Sequence, residues 1–258
     1  MNKNLKIVLI AAVVLSSIAG LYIGINQKIT LHLALIRPKL WGLDIPGIKT
    51  RLNTGDKVIA LTFDACGGKG GSGYDKKLIR FLKKEKVPAT LFINARWIDA
   101  NLKTFMGLAA NPLFEIENHG LRHKPLSVSG KSAYGIKGTQ SSAEVFDEVD
   151  GGGKKILNLT GRKPKYFRSG TAHYDEIALR ILKDMGYQAI GFAVNGDLGA
   201  TASAEGVKAN LLSAKPGSIV IMHMNHPEGY TAEGVIKAIP LLKKKGYRFV
   251  KLAGSTLK

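Results

Sequence analysis

The amino-acid sequence predicts an α/β fold: a barrel or partial barrel of about seven parallel strands, preceded by an N-terminal hydrophobic helix. Two observations after residue 57 predict the barrel. Short apolar runs alternate with longer segments of helical periodicity, and this unit repeats about seven times. Ionisable and metal-ligating side chains follow the predicted strands rather than the predicted helices. An open doubly wound sheet is the alternative arrangement of the same units.

The N-terminal helix is predicted from residues 1–28, which have the pattern of a signal anchor or a signal peptide. A short basic stretch precedes an uncharged run over residues 7–25, which nearly spans a bilayer core. We expect an exported protein, anchored in the membrane and facing the periplasm or the cell exterior, or secreted if this segment is cleaved. Residues 29–56 are predicted to form a membrane-proximal connector.

Residues 57–258 are predicted to form the remaining domain, and their apolar periodicity places its elements. The run Val58–Phe63 predicts a strand buried on both faces. Further strands are predicted at residues 89–93, 114–117, 165–167, 189–194, 218–222 and 249–252. Helices are predicted at residues 75–86, 101–110, 141–160, 174–185, 205–212 and 231–245. Three glycines at 151–153 predict a break or bend in the third helix, since each costs about 1 kcal/mol in a helix interior.

The charge of the chain bears on its partners. A formal net charge of +19, from 38 basic against 19 acidic residues, favours anionic partners such as lipid headgroups or acidic envelope polymers. The basic residues are spread along the chain without interleaved aromatic side chains that could stack on bases, so we expect no nucleic-acid partner. The single cysteine, Cys66, excludes a disulfide framework and a cysteine-rich zinc module.

Four of the six histidines fall in two short segments that follow predicted strands. His119 and His123 lie in one segment, and His223 and His226 lie in the other. Imidazole is the commonest ligand of catalytic first-row metals. Two histidines at this spacing also occur by chance, but their concentration in two segments favours a site for a divalent metal.

Ionisable residues directly follow five of the predicted strands. These residues are Asp64, His119 with His123, Arg168, Asp197 and His223. Because the carboxyl ends of parallel strands meet at one rim, we expect these side chains to lie together. Any one of them could instead cap a helix or stabilise a loop. Their recurrence at one rim favours a catalytic site.

The residue types at this rim suit amide hydrolysis. A divalent metal polarises the carbonyl and lowers the pKa of bound water toward about 7. Asp64 could accept a proton from that water, and His223 could donate one to the departing nitrogen.

Four motifs resemble, in their order and rough spacing, those of the polysaccharide deacetylase family, also called the NodB-homology or carbohydrate esterase family 4 group. The motifs are Thr62-Phe63-Asp64, Asn118-His119 to His123, Phe167-Arg168-Ser169-Gly170 and Ile221-Met222-His223. The resemblance covers about residues 57–252. It implies a distorted (β/α) barrel that removes acetyl groups from N-acetylated sugars with a divalent metal, usually zinc.

The resemblance also implies a role for each matching residue. His119 and His123 match the two metal-binding imidazoles, and Asp64 matches the aspartate that acts as general base. Arg168 matches the arginine that orients this base, and His223 matches the histidine that protonates the leaving amine. Either Asn195 or Asp197 falls where an acidic residue would orient that histidine, and Asp197 is the expected one. His226 and Tyr174 are candidates for substrate contact.

The chain departs from the family where a second aspartate usually ligates the metal, because Ala65 occupies that position. Asp64 is therefore a candidate both for the metal shell and for the base. Asp75 could complete the shell only if the glycine-rich loop folds back. Cys66 is a soft ligand close by, although a free cysteine after a strand is more often a small packed residue. An Ala65→Asp substitution is expected to restore the shell.

The expected function is metal-dependent N-deacetylation of amino sugars in a cell-envelope polysaccharide or a lipid-linked saccharide. The expected cofactor is a divalent metal, with zinc preferred, and the expected partners are that glycan and, through residues 1–28, a membrane. Two alternatives remain. The absent second aspartate allows a sugar-binding pseudoenzyme, and the same chemistry allows a metal-dependent amidase that acts on a non-sugar amide.

Overall fold

The computed structural model describes residues 37–258, and Lys39–Lys258 form one compact unit. The predicted hydrophobic helix at residues 1–28 lies outside the described residues. Between residues 37 and 258, no helix has the length and apolar character needed to cross a bilayer.

The unit is built on one parallel sheet. The strands in chain order are β1 (Trp41–Gly42), β2 (Val58–Ala65), β3 (Ala89–Ile93), β4 (Phe114–Asn118), β5 (Ser132–Ala133), β6 (Ile136–Lys137), β7 (Tyr166–Phe167), β8 (Tyr174–Asp175), β9 (Gln188–Ala189), β10 (Val194–Asn195), β11 (Ile219–His223) and β12 (Arg248–Val250). The helices are α1 (Lys76–Lys84), α2 (Ala95–Ala100), α3 (Leu102–Ala109), α4 (Ser142–Thr160), α5 (Glu176–Asp184), α6 (Ala204–Leu212) and α7 (Thr231–Lys244).

Seven parallel strands follow one another across the curled sheet in the order β10-β11-β2-β3-β4-β7-β9, and β12 pairs with the start of β2. In the described part of the chain no ladder joins β9 to β10, so the sheet is a half-barrel that stays open between them. The predicted distorted barrel of about seven parallel strands is confirmed, and the doubly wound alternative is wrong.

The central strand β2 presents two different faces, because successive side chains of a strand point to opposite sides. One face enters the largest apolar cluster, together with residues of α1, α6 and α7; it consists of Ile59, Leu61, Phe63 and Ala65. The other face points into the half-barrel, where Thr62 and Asp64 bind the guanidinium of Arg168. Ala65 is therefore a core residue with no exposed surface.

Part of the predicted connector belongs to the domain. β1 pairs antiparallel with β8, with Trp41 opposite Asp175. Ile45, Ile48 and Leu52 are buried against the body of the domain. The compact unit of the structure therefore begins at Lys39 and includes these side chains of the predicted connector in its core.

The six predicted helices are present, each within two residues of its predicted bounds. α2 was not predicted, and residues 127–139 contain the small hairpin of β5 and β6. The single strand predicted at residues 189–194 is wrong, because the chain there forms two short strands, β9 and β10. Between them the carbonyls of Ile190 and Gly191 accept hydrogen bonds from Arg168 instead of continuing a ladder.

The three consecutive glycines do not break α4, which runs without interruption from Ser142 to Thr160. They make room for the end of β4 and the loop after it. A Cβ atom at Gly152 would overlap the Asn118 side chain and lie 2.8 Å from the Gly120 carbonyl carbon. A Cβ at Gly153 would overlap the Tyr187 hydroxyl. Close packing at this crossing thus offsets the low helix propensity of glycine.

We expect Gly152→Ala to lower stability by about 1–3 kcal/mol, because the added methyl group must displace the backbone after β4. The matched control is Gly107→Ala in α3, where an added Cβ meets nothing within 4 Å. That control should be neutral or stabilising by up to about 1 kcal/mol. Thermal unfolding of both variants measures the difference. Equal melting temperatures would contradict the close packing at Gly152.

Candidate active site

The site is organised around a buried ion pair at the end of β2. Arg168 Nη1 donates to Asp64 Oδ1 at 2.7 Å and to the Thr62 hydroxyl at 2.9 Å. Its Nη2 donates to the Gly191 carbonyl at 3.0 Å, and the guanidinium lies 4.3 Å from the centre of the Phe92 ring. Arg168 is therefore fixed, and it fixes one oxygen of the Asp64 carboxylate.

His119 is held by the backbone carbonyl of the same arginine. Its Nδ1 lies 2.8 Å from the Arg168 carbonyl oxygen, which can only accept, so Nδ1 carries the proton and Nε2 has a free lone pair. Nε2 lies 3.7 Å from Asp64 Oδ2 and 3.8 Å from Cys66 Sγ. Burial lowers the pKa of His119 and outweighs the opposite effect of the Asp64 charge. The neutral form of the ring is therefore favoured. A backbone carbonyl on the far nitrogen is typical of metal-binding histidines.

His123 presents a second imidazole to the same point. Its ring centre lies 4.8 Å from that of His119 at an interplanar angle of 81°. Its Nε2 is buried and has no hydrogen-bond partner in the part of the chain that the structure describes. Burial, and then the neighbouring His119, lower the pKa of His123 well below its usual value, so this ring is also neutral. A buried unpaired nitrogen is costly unless it has a ligand to bind.

The loop that carries both histidines is shaped by Glu148, a buried residue of α4. The Glu148 carboxylate accepts from the backbone N–H of Arg122 at 3.0 Å and of Lys124 at 3.2 Å. Its carbonyl accepts from the Leu121 N–H at 2.9 Å. His123 has a positive φ of 62° within this loop. Glu148 belongs to none of the motifs, and its only signal in the sequence is its charge on the apolar face of α4.

Cys66 completes a group that could hold a metal ion. One ligand atom from each of Cys66, His119 and His123 lies within 4.8 Å of the other two, the one such group found among residues 37–258. Burial raises the pKa of the Cys66 thiol well above its usual value, and the charge of Asp64 acts in the same direction. Two neutral imidazoles and a thiol suit a divalent first-row cation, because each supplies a lone pair once the thiol loses its proton.

His223 and Asp197 form a second charged pair beside the first. His223 Nδ1 lies 3.0 Å from Asp197 Oδ1, and its backbone N–H donates to Asp197 Oδ2 at 2.6 Å. Burial lowers the pKa of His223, but the Asp197 carboxylate outweighs this effect and raises the pKa above its usual value. His223 lies opposite Asp64 in the register of β11 and β2. Asn195, the alternative partner, accepts from the Leu198 N–H instead.

The other candidate residues lie at different places. His226 is at the rim, where its Nδ1 contacts Glu228 Oε1 at 2.8 Å and its ring centre is 6.5 Å from that of His223. Tyr174 is fully buried, and its hydroxyl accepts from the Ser169 N–H and donates to the Phe167 carbonyl. The prediction that Tyr174 contacts substrate is therefore wrong. Asp75 caps α1 by accepting from the Leu78 N–H, which gives it a structural role.

An open cleft of about 510 Å³ leads to this group, and Asp64, His123 and His223 line it. Tyr134, at the tip of the β5–β6 hairpin, and Leu198 stand at its edge with 77% and 56% of their surface exposed. The cleft brings a polar floor and an apolar edge together, which is typical of ligand-binding sites.

Residues 51–190 match the model of the polysaccharide deacetylase family, which agrees with the geometry at the strand ends. The chain belongs to this family. The family consists of hydrolases, and its deacetylases are metal-dependent.

Similar proteins include known deacetylases of this family. The chain is 26% identical to the peptidoglycan-N-acetylmuramic acid deacetylase PdaA of Bacillus subtilis, over 76% of this chain and 70% of that protein. It is also 26% identical to a peptidoglycan-N-acetylglucosamine deacetylase of Bacillus cereus, over 76% of this chain and 86% of that protein. A family 4 pseudoenzyme from Bacillus anthracis shares the fold with a TM-score of 0.67 and 24% identity, over 81% of this chain and 68% of that one.

We expect Glu148→Gln to weaken metal retention and to lower stability by about 1–3 kcal/mol, because an amide cannot accept from both backbone N–H groups without turning its own N–H₂ toward one of them. Metal content after dialysis and thermal unfolding measure the two effects. Glu144→Gln is the matched control, on the same helix but paired with Lys124 at the surface. A Glu148 variant that matches this control in both measurements would show that Glu148 does not shape the histidine loop.

Proposed function

We propose that this protein is a metal-dependent hydrolase that removes N-acetyl groups from amino sugars of a cell-envelope polysaccharide or a lipid-linked saccharide. The observation that carries the proposal is the placement of two buried charged pairs, one holding a carboxylate and one holding an imidazole, beside one metal-competent group. Arg168 binds Asp64, Asp197 binds His223, and the two pairs meet on neighbouring strands. Both open into the same cleft.

The bound metal, with zinc preferred, would polarise the acetyl carbonyl and acidify a water molecule. Asp64 would take the proton of that water with Oδ2, the oxygen that Arg168 leaves free. Arg168 does not contact substrate and acts as a positioning residue for Asp64. His223 would donate its proton to the departing nitrogen, and its raised pKa supports this role because the ring is then protonated at higher pH.

A glycan substrate is supported by the cleft and by the relatives. The cleft is open to solvent, and Tyr134 offers an exposed ring at its edge. Two relatives are named for deacetylation of peptidoglycan sugars. Residues 1–28 would hold the site near a membrane outside the cytoplasm, which suits an envelope polymer or a lipid-linked saccharide.

A sugar-binding pseudoenzyme is the second candidate, favoured by the absence of the usual second aspartate and by the structural likeness to a pseudoenzyme. A non-sugar amide substrate has no specific observation in its favour. These candidates differ in one measurement: whether acetate is released from an N-acetylated glycan.

The test is acetate release by the full-length protein in detergent, with zinc added or removed by a chelator. The substrates are acetylated peptidoglycan, chitin-type oligomers and a lipid-linked amino sugar, and Asp64→Asn is the inactive control. Zinc-dependent release that the control lacks supports the proposal. Absence of release from every substrate overturns it in favour of the pseudoenzyme.

His223→Ala should lower the rate by about 10²- to 10⁴-fold and leave the metal content unchanged, because His223 acts on the leaving group. His226→Ala, at the rim of the site, is the matched control and should keep most of the activity. Acetate release and metal analysis check both variants. Loss of metal from the His223 variant would mean that His223 is a ligand and not the acid.

Asp197→Asn should change the pH dependence of turnover. His223 must be protonated to act as an acid, so the rate falls as the pH rises through its pKa. Removal of the carboxylate that raises this pKa should move the falling limb to lower pH. Glu228→Gln, which removes the surface partner of His226, should leave the profile in place. An unmoved limb in the Asp197 variant would exclude His223 as the titrating acid.

A further inference from the structure

We propose that Cys66 is the third protein ligand of the metal and takes the place that an aspartate holds in other members of the family. This inference rests on the metal-dependent function proposed above. It assigns the metal shell to Cys66, His119 and His123, and it leaves Asp64 outside the shell.

Position 65, where the family aspartate falls, carries alanine in this chain. Ala65 is buried in the apolar cluster and has no ligating atom. Cys66, which follows the strand, places its Sγ 3.8 Å from His119 Nε2, the same nitrogen that lies 3.7 Å from Asp64 Oδ2. The ligand is therefore displaced by one residue along the chain. The expectation that Ala65→Asp restores the usual shell stays a prediction.

The distances suit a single ion. Bond lengths of about 2.0–2.3 Å in a tetrahedral site place two zinc ligands about 3.5 Å apart. Cys66 Sγ and His119 Nε2 are 3.8 Å apart, and His123 contributes the third atom of the group within 4.8 Å. The buried His123 Nε2 has no hydrogen-bond partner among residues 37–258, which independently points to a ligand at this place. The other ring nitrogen of His119, Nδ1, already donates its N–H to the Arg168 carbonyl.

The glycine-rich loop after Cys66 fixes its position. Gly67 has a φ of +70°, and a Cβ atom there would lie 2.5 Å from the backbone nitrogen of Trp97 at the start of α2. The Gly67 N–H donates to the Gly71 carbonyl at 2.9 Å, and that carbonyl also accepts from Asn225 Nδ2 at 3.0 Å. The Trp97 indole donates to the Gly73 carbonyl at 2.7 Å. These contacts give the loop one conformation, and Cys66 is held at its first turn.

Neither Asp64 nor Asp75 belongs to the metal-competent group. Arg168 holds Asp64 through Oδ1, and Asp64 Oδ2, 3.7 Å from His119 Nε2, stays free to act as the base. Asp75 Oδ1 caps α1.

A thiolate ligand also changes which metal the site prefers. Sulfur favours zinc and cobalt over magnesium, calcium and manganese, which prefer oxygen ligands.

The test is a Co²⁺ titration of the metal-free full-length protein, followed by absorption spectroscopy without any substrate. Ligation by Cys66 predicts a thiolate-to-cobalt charge-transfer band in the near ultraviolet. Because Cys66 is the only cysteine in the chain, no other thiol can produce this band. X-ray absorption of the zinc form should show one sulfur at about 2.3 Å.

Two variants sharpen the test. Cys66→Ser should abolish the band and weaken Co²⁺ binding by more than about tenfold, because an alcohol is a poor ligand. Cys66→Asp should lose the band but regain part of the affinity, with a weaker preference for zinc over manganese. Circular dichroism and thermal unfolding confirm that both variants are folded.

The outcomes separate this inference from the proposed function. Co²⁺ binding without the band, or a band that persists in Cys66→Ser, overturns ligation by Cys66 even if the protein releases acetate. The band without acetate release supports the ligand and overturns the enzymatic function. Failure of the wild-type protein to bind Co²⁺ or Zn²⁺ overturns both.

Discussion

The buried guanidinium of Arg168 is the constraint on which the site depends. A guanidinium has five N–H donors and keeps its charge, so inside a protein it requires acceptors on all sides. Thr62 and Asp64 of β2 meet one edge, and the carbonyls of Ile190 and Gly191 meet the other. These two carbonyls lie in the segment between β9 and β10, where the predicted single strand is divided into two.

The site separates its charges by pairing. Asp64 is bound to the Arg168 guanidinium, while His223 is bound to the Asp197 carboxylate, which raises the pKa of His223. The metal-competent group lies next to Asp64, where two neutral imidazoles and a thiol supply lone pairs without a fixed charge. Acid, base and ligands thus occupy neighbouring positions without competing for one proton.

The fold and the members of the site could be predicted to different extents. The strands and helices could be predicted because each buries one face. The position of the site could be predicted because the carboxyl ends of parallel strands meet at one rim. Two errors arose where tertiary contacts outweigh local preference: Gly152 continues a helix to let β4 approach, and Tyr174, in a motif-rich segment, is a buried packing residue. Glu148 could not be predicted, because it acts on backbone N–H groups that a motif does not display. The function of the individual residues stays a prediction until it is tested.

The two-sided character of β2 has a consequence for how members of this family are compared. Alignments place residues in columns, and a missing aspartate in the column of Ala65 suggests a dead enzyme. In this chain, however, Ala65 is buried in the apolar cluster, Asp64 points into the half-barrel, and Cys66 offers a sulfur beside His119. Whether a family member without that aspartate has kept its chemistry must then be judged from the neighbouring residues and not from one column alone.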